Sequence, residues 1–376
     1  MTSFKLFSVK GIDIKIHITF PLILIWAAVQ FGFLGEGSFS LSGAAFGVVV
    51  TLLLFVCVVI HELSHSLTST WMGYPVEDIV LLPLGGVSQI EEMPEGPGEE
   101  FLMAVAGPFS NIVIAFFLAL ISLFTPVSLL SGLRKIAENP MALGWSDMLP
   151  YLIVTNVALA AFNLIPAFPM DGGRVLRSLL ATIMPQTRAT EIAVRVGQGF
   201  AWVLGLGGLV TGNLVWILIA VFVYAGAAQE GRMTQIRSIL EGMKVRQAFT
   251  RDVQVISPDD PVSYAADRTL DSFQADFPVC DEGEIVGILT HTDIVRALKM
   301  RQPDVPVRDV MKKDFPTLRL DDGLFEVHQE MQQSGLDALP VIEDDRFVGL
   351  LTTRDVNEAY QLLSISQELR KQFQSV

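Results

Sequence analysis

The stretch Val58-Val59-Ile60-His61-Glu62-Leu63-Ser64-His65-Ser66 decides how the chain is read. The residues before it, 41–57, contain no charged side chain, so two imidazoles and a carboxylate close an apolar run long enough to cross a bilayer. On a helix, His61 and His65 lie one turn apart on one face, both able to reach one metal ion. Glu62 is rotated by about a third of a turn, near enough to take a proton from a metal-bound water. Ionisable groups at membrane depth are costly and mark a functional site by default.

Outward from this helix, apolar runs at 18–34, 41–64, 101–124, 149–166, 192–210 and 212–228 predict six transmembrane helices. The last two are read as separate spans because together they are too long to cross once without a large tilt. The 376 residues are 51% hydrophobic and 18% charged, with a mean hydropathy of +0.48. Charge is uneven: residues 1–230 carry 9 basic and 15 acidic side chains, residues 231–376 carry 17 and 25. A membrane domain over 1–230, a linker at 231–244 and a soluble region beyond it follow. The net charge of −14 argues against nucleic-acid binding. Cys57 and Cys280 fall one in each part and exclude a disulfide scaffold.

Lys5, Lys10 and Lys15 precede the first span, and Arg174, Arg177 and Arg188 follow the fourth, so these ends are expected in the cytoplasm. The soluble part then lies inside too, and only Arg134 and Lys135 are expected outside. No cleaved signal peptide is read, because the first apolar run lacks a small-residue cleavage site.

A catalytic zinc takes three protein ligands and leaves a fourth position open. The acidic residue in the right setting is Asp171, in Asn163-Leu164-Ile165-Pro166-Ala167-Phe168-Pro169-Met170-Asp171-Gly172-Gly173-Arg174. Two prolines break the fourth span at its inner end, and two glycines let backbones approach closely. The topology brings the inner ends of spans two and four to the same side, where His61, His65 and Asp171 can meet.

These motifs resemble the site-2 protease family of intramembrane zinc metalloproteases. The resemblance rests on His61-Glu62-Leu63-Ser64-His65 with Asn163, Pro166, Pro169, Asp171 and Gly172, in order and on the expected spans. Gly11-Ile12 through His17, Gly85-Gly86 and Ala106-Gly107-Pro108 with Asn111 add to it. It covers residues 1–230. It implies one catalytic Zn²⁺ held by His61, His65 and Asp171, Glu62 as general base, and Asn163 as a substrate-positioning residue. Implied substrates are single-span membrane proteins such as anti-sigma factors or membrane-tethered transcription factors, cut near the cytosolic face of the cell membrane.

A helical peptide bond is shielded and must be unwound before water attacks. The extended stretch Leu82-Pro83-Leu84-Gly85-Gly86-Val87-Ser88-Gln89-Ile90 directly follows the zinc helix. Two readings stand side by side: it pairs with an unwound substrate by strand addition, or it is a re-entrant plug. Under the first, bulky residues at Gly85 and Gly86 abolish cleavage and leave zinc bound. Cys57 is read as a small buried hydrophobe, His17 as structural, and the acid-rich 91–100 as a solvated loop.

Beyond residue 244 the sequence repeats at an offset of 62. Phe277-Pro278-Val279 matches Leu339-Pro340-Val341, and Gly287-Ile288-Leu289-Thr290-His291-Thr292-Asp293 matches Gly349-Leu350-Leu351-Thr352-Thr353-Arg354-Asp355. Each copy reads as strand, turn, strand, helix, and two copies imply a pseudo-twofold pair. The repeat resembles a tandem pair of CBS domains, with modules at 245–303 and 304–376. The resemblance implies an adenine nucleotide (ATP, ADP or AMP) as regulatory ligand and a homodimer through the pair. The hydroxyls of Thr290 and Thr352 suit a phosphate, and Asp293 and Asp355 suit ribose hydroxyls. Simple helix capping by the same four residues is the other reading.

The fold class expected is thus a polytopic α-helical membrane domain of about six transmembrane helices, followed by a soluble α/β tandem CBS domain. A channel or transporter with a nucleotide-sensing tail has no need of the His-Glu-x-x-His and Asp-Gly-Gly pair. A scaffold that keeps zinc for structure has no use for Glu62.

Overall fold

The computed structural model describes residues 3–33, 39–83, 85–90, 96–125, 129–138, 143–272, 274–300, 303–344 and 346–374. The chain divides into two compact units, Met1–Arg232 and Met233–Val376.

The first unit opens with the hairpin β1 (Ser3–Val9) and β2 (Ile12–His17), then α1 (Pro21–Gly32) and α2 (Leu41–Trp71). A second hairpin, β3 (Val76–Leu82) and β4 (Gly85–Ile90), leads into α3 (Pro97–Ser122). The amphipathic α4 (Leu129–Glu138), α5 (Met148–Asn163), α6 (Asp171–Ala181) and α7 (Gln186–Thr211) follow, and α8 (Leu214–Leu240) begins in this unit and ends in the second. The two hairpins form one sheet in the order β1-β2-β3-β4, with β2 and β3 parallel, so β4 is an edge strand. Buried Ile12, Ile14 and Ile79 pack the sheet against Phe20, Phe55 and Val59 of α1, its entry and α2.

Among the described residues five helices are long and apolar enough to cross a membrane: Leu41–Trp71, Pro97–Ser122, Trp145–Asn163, Gln186–Thr211 and Leu214–Leu240. The first expected span, 18–34, is instead the twelve-residue α1, about 18 Å long and short of the hydrocarbon thickness. The start of its apolar run is spent on the turn that leaves β2, where the Phe20 amide donates to the His17 carbonyl at 2.9 Å; residues 34–38 lie outside the described residues. The solvated loop expected at 91–100 is also revised. Helix α3 begins at Pro97, Glu100 is buried in its first turn, and 91–95 lie outside the described residues.

The second unit contains α9 (Val262–Ser272), β5 (Phe277–Asp281), β6 (Glu284–Leu289) and α10 (His291–Lys299). A matching set follows: β7 (Leu318–Arg319), α11 (Leu324–Ser334), β8 (Ala338–Glu343), β9 (Arg346–Thr352) and α12 (Thr353–Gln374). Strand, turn, strand and helix recur in each copy, each with a helix ahead of its hairpin, and the second copy adds the short β7 before that helix.

The two cores do not follow chain order. Leu240 and Val245 pack with Leu318, Leu324, Leu339 and Leu351 of the second copy, whereas Val307 packs with Val262, Phe277 and Leu289 of the first. The exchange is reciprocal: Arg246 pairs with Asp321, and Arg308 with Asp259. It also explains the motif glycines. A side chain at Gly349 would strike Phe249 and the Thr250 backbone, and one at Gly287 would strike Met311 and the Lys312 carbonyl.

Candidate metal centre

Helix α2 supplies the histidines. Its start is capped by Ser40, whose Oγ accepts from the Gly43 amide at 3.1 Å. His61 lies about 30 Å along it, one hydrocarbon thickness from the first turn. His61 and His65 are 7% and 8% exposed. Their Nε2 atoms are 3.2 Å apart. His65 is oriented by its Nδ1–H, which donates to the Met103 carbonyl at 2.6 Å. That fixes the tautomer and leaves Nε2 with its lone pair free.

Asp171 arrives from a break in the helices. After α5 ends at Asn163, the chain turns through 164–170, and Asp171 opens α6. Its carboxylate sits in the first helical turn, where the helix dipole favours negative charge. Gly172 and Gly173 are needed there: a side chain at 172 would strike the Leu164 and Ile165 backbone, and one at 173 would come within 2.6 Å of the Phe168 amide. Asp171 Oδ2 ends 3.4 Å from His61 Nε2 and 3.3 Å from His65 Nε2.

The spacing of the trio suits one metal ion. Donors bound tetrahedrally to one zinc at 2.0–2.2 Å are about 3.3–3.6 Å from one another, close to the spacings found. Asp171 Oδ2 is buried and has no hydrogen-bond partner of ordinary geometry among the described residues. Gly107 of α3 leaves the space the rings occupy, since a Cβ there would fall 2.7 Å from His61 Nε2. Two imidazoles and a carboxylate at these spacings fit a catalytic zinc, which takes three protein ligands.

Glu62 is half-buried beside the trio and is held from β4. Ser88 Oγ donates to Glu62 Oε2 at 2.9 Å. Gly86 lies against the same side chain. Gly85 has φ +146°, a backbone state that favours glycine. Asn163 ends α5, half-buried, and among the described residues it makes no hydrogen bond to the trio. Cys57 takes no part in the trio; it accepts from Asn156 Nδ2 at 3.4 Å. His17 is tied to Thr19 Oγ1 at 2.7 Å.

Several supports escape the sequence. Arg177 of α6, counted above only as a cytoplasmic charge, is 6% exposed and pairs with Glu100 at 2.5 Å and with Glu230 of α8. Its guanidinium also lies 5.1 Å above the Phe168 ring. Partners 77 and 53 residues away leave no local signal. Gly107 is visible in the sequence only as part of Ala106-Gly107-Pro108.

In the second unit, Thr290 and Thr352 both cap helices. Thr290 Oγ1 accepts from the Asp293 amide at 3.3 Å, and Thr352 Oγ1 accepts from the Asp355 amide at 3.1 Å. The copies differ in their acids. Asp293 is 5% exposed and engaged by Thr290 and Arg296. Asp355 is half-buried, with Thr250 Oγ1 donating to it at 3.1 Å. Asp276 also draws on this region: burial pushes its carboxyl above the usual range, although the His291 amide donates to it.

A family model described as peptidase family M50 matches residues 49–204, and the CBS domain model matches at 245–300 and 307–362. The chain is 31% identical over 369 residues to the zinc metalloprotease MJ0392 of Methanocaldococcus jannaschii, spanning 98% of this chain and 99% of that protein. A solved structure, the site-2 protease from Methanocaldococcus jannaschii, is 36% identical with a TM-score of 0.45, covering 61% of this chain and 96% of that one.

Proposed function

The chain belongs to peptidase family M50, the site-2 proteases, and from that premise we propose that it is an intramembrane endopeptidase acting on membrane-anchored proteins. His61, His65 and Asp171 hold the zinc, and Glu62 is the general base. The observation that carries this is the trio of donor atoms 3.2–3.4 Å apart, with Glu62 adjoining, on an apolar helical scaffold.

Held by His61, His65 and Asp171, a zinc ion would supply Lewis acidity for the scissile carbonyl and for the attacking water near neutral pH. Glu62 takes a proton from the attacking water while Ser88 holds its other oxygen in place. As the carbon–nitrogen bond breaks, Glu62 returns that proton to the leaving nitrogen. The edge strand β4, with Gly85 and Gly86 at its start, pairs with the unwound substrate segment and presents it to Glu62. Asn163 helps to position that segment.

The CBS pair binds an adenine nucleotide through Thr290, Asp293, Thr352 and Asp355 and adjusts activity or substrate access. It lies in the cytoplasm and joins two chains into a homodimer. Substrates are single-span regulators such as anti-sigma factors or membrane-tethered transcription factors. The test is cleavage of a tagged panel of single-span proteins by wild type and Glu62→Gln, with and without ATP. Cleavage by wild type alone supports the reading. Equal cleavage by Glu62→Gln overturns the role of that residue, and a rate indifferent to every adenine nucleotide overturns the regulatory part.

A further inference from the structure

One atom of the metal trio and two amide oxygens on α3 and α5 are buried and find no hydrogen-bond partner among the described residues: His61 Nδ1, Asn111 Oδ1 and Asn156 Oδ1. Asn111 is 1% exposed and Asn156 is fully buried. A buried polar atom left without a partner is destabilising, and three of them call for a partner that the protein's own side chains do not supply.

The helix register brings them to one depth. Met103 faces His65 through its carbonyl, and Gly107 faces both histidines. Four residues back along α2 thus match four residues forward along α3, and one further step on that register places Asn111 opposite Cys57. Asn156 of α5 reaches that same Cys57, its Nδ2 donating to Sγ at 3.4 Å and to the Leu152 carbonyl at 2.8 Å. Its amide hydrogens are committed, so Oδ1 is its free end. His61 is one turn from Cys57 on the same face of α2. If the register continues, the two amide oxygens and the His61 Nδ1 edge fall to the turn between Cys57 and His61, and it is this placement that the proposal rests on.

Their chemistry is complementary to a single small molecule. With His61 Nε2 among the metal donors, Nδ1 carries the hydrogen and needs an acceptor. The two amide oxygens only accept. A water accepts one hydrogen bond from Nδ1–H and donates its two hydrogens to Asn111 Oδ1 and Asn156 Oδ1, which satisfies all three.

We propose that Asn111 and Asn156 bind a buried water that orients His61 as a metal ligand, as the Met103 carbonyl orients His65. Both asparagines are then positioning residues for the zinc. This rests on the reading of His61 as a ligand.

The experiment is the rate of zinc transfer from the purified full-length protein to a chelator. His61→Ala is the control for the underlying reading, and zinc held by that variant as by wild type overturns the ligand assignment itself. Asn111→Leu and Asn156→Leu are each expected to release zinc about 10–100-fold faster. The double variant should release it no faster than the faster single one, because either change removes the same water. Asn111→Asp keeps an acceptor in the same volume and should hold zinc at least as long as wild type. Wild-type release from both single variants, multiplying effects in the double variant, or Asn111→Asp behaving like Asn111→Leu overturns the proposal.

Discussion

Gly86 of β4 and Glu62 of α2 are packed so closely that a Cβ at position 86 would lie 2.5 Å from Glu62 Cγ. A substitution there acts on Glu62, the proposed base, before it acts on any pairing of β4. Gly86→Ala is therefore expected to lower kcat by about 10²–10⁴, the usual contribution of a general base, with zinc content unchanged. Zinc analysis beside single-turnover cleavage checks both halves.

Strand addition needs a probe that leaves Glu62 alone. The β4 edge not used by β3 is the surface on offer, and an extended partner points alternate amides toward it. Replacing substrate amides with esters one at a time should slow cleavage about tenfold at alternate positions and spare those between. A flat response along the segment rules out pairing with β4.

Arg177 neutralises two carboxylates from different helices, with Glu100 itself 3% exposed. Arg177→Met strands Glu100 as an unpaired buried charge and should cost about 3–5 kcal/mol. A fall in thermal unfolding temperature together with looser zinc is expected, since α6 begins at Asp171. Glu230→Gln should cost less, because the Glu230 side chain is 27% exposed.

His328, buried in α11, has its imidazole held below the ordinary 6.5 by burial. A lowered folded-state value means the unfolded state binds the proton more readily. The stability this contributes is complete above about pH 6.5 and falls away as pH drops toward the folded value. The protection factor of α11 in the full chain, exchange being corrected for its intrinsic pH dependence, should fall between pH 7.5 and 5.5, and His328→Leu should remove that fall.

The two CBS acids should differ in effect. Asp355→Ala is expected to weaken ATP binding about tenfold at a smaller cost to the fold, because its carboxylate, although it accepts from Thr352 and Thr250, is only half-buried. Asp293→Ala is expected first to loosen α10, whose cap and Arg296 pair it anchors. Calorimetric titration with ATP and exchange over α10 separate the two.

Part of this site is legible in the chain itself. His61, Glu62 and His65 declare themselves because four-residue spacing is a local property of a helix. Asp171 follows because Pro166, Pro169 and the Gly172-Gly173 pair mark the break that delivers it. The 62-residue repeat declares the CBS pair in the same way, through spacing along the chain.

Tertiary structure alone decides what holds these residues in place. Gly86 against Glu62, Arg177 between Glu100 and Glu230, and Asn156 on Cys57 each join segments that share no local pattern. The exchange of Val245 and Val307 between the two CBS cores belongs here too. Helical periodicity fixes which side chains share a face, whereas packing between helices selects which faces meet. The sequence thus determined the chemistry this protein can carry, and the fold decided the distances at which it is carried.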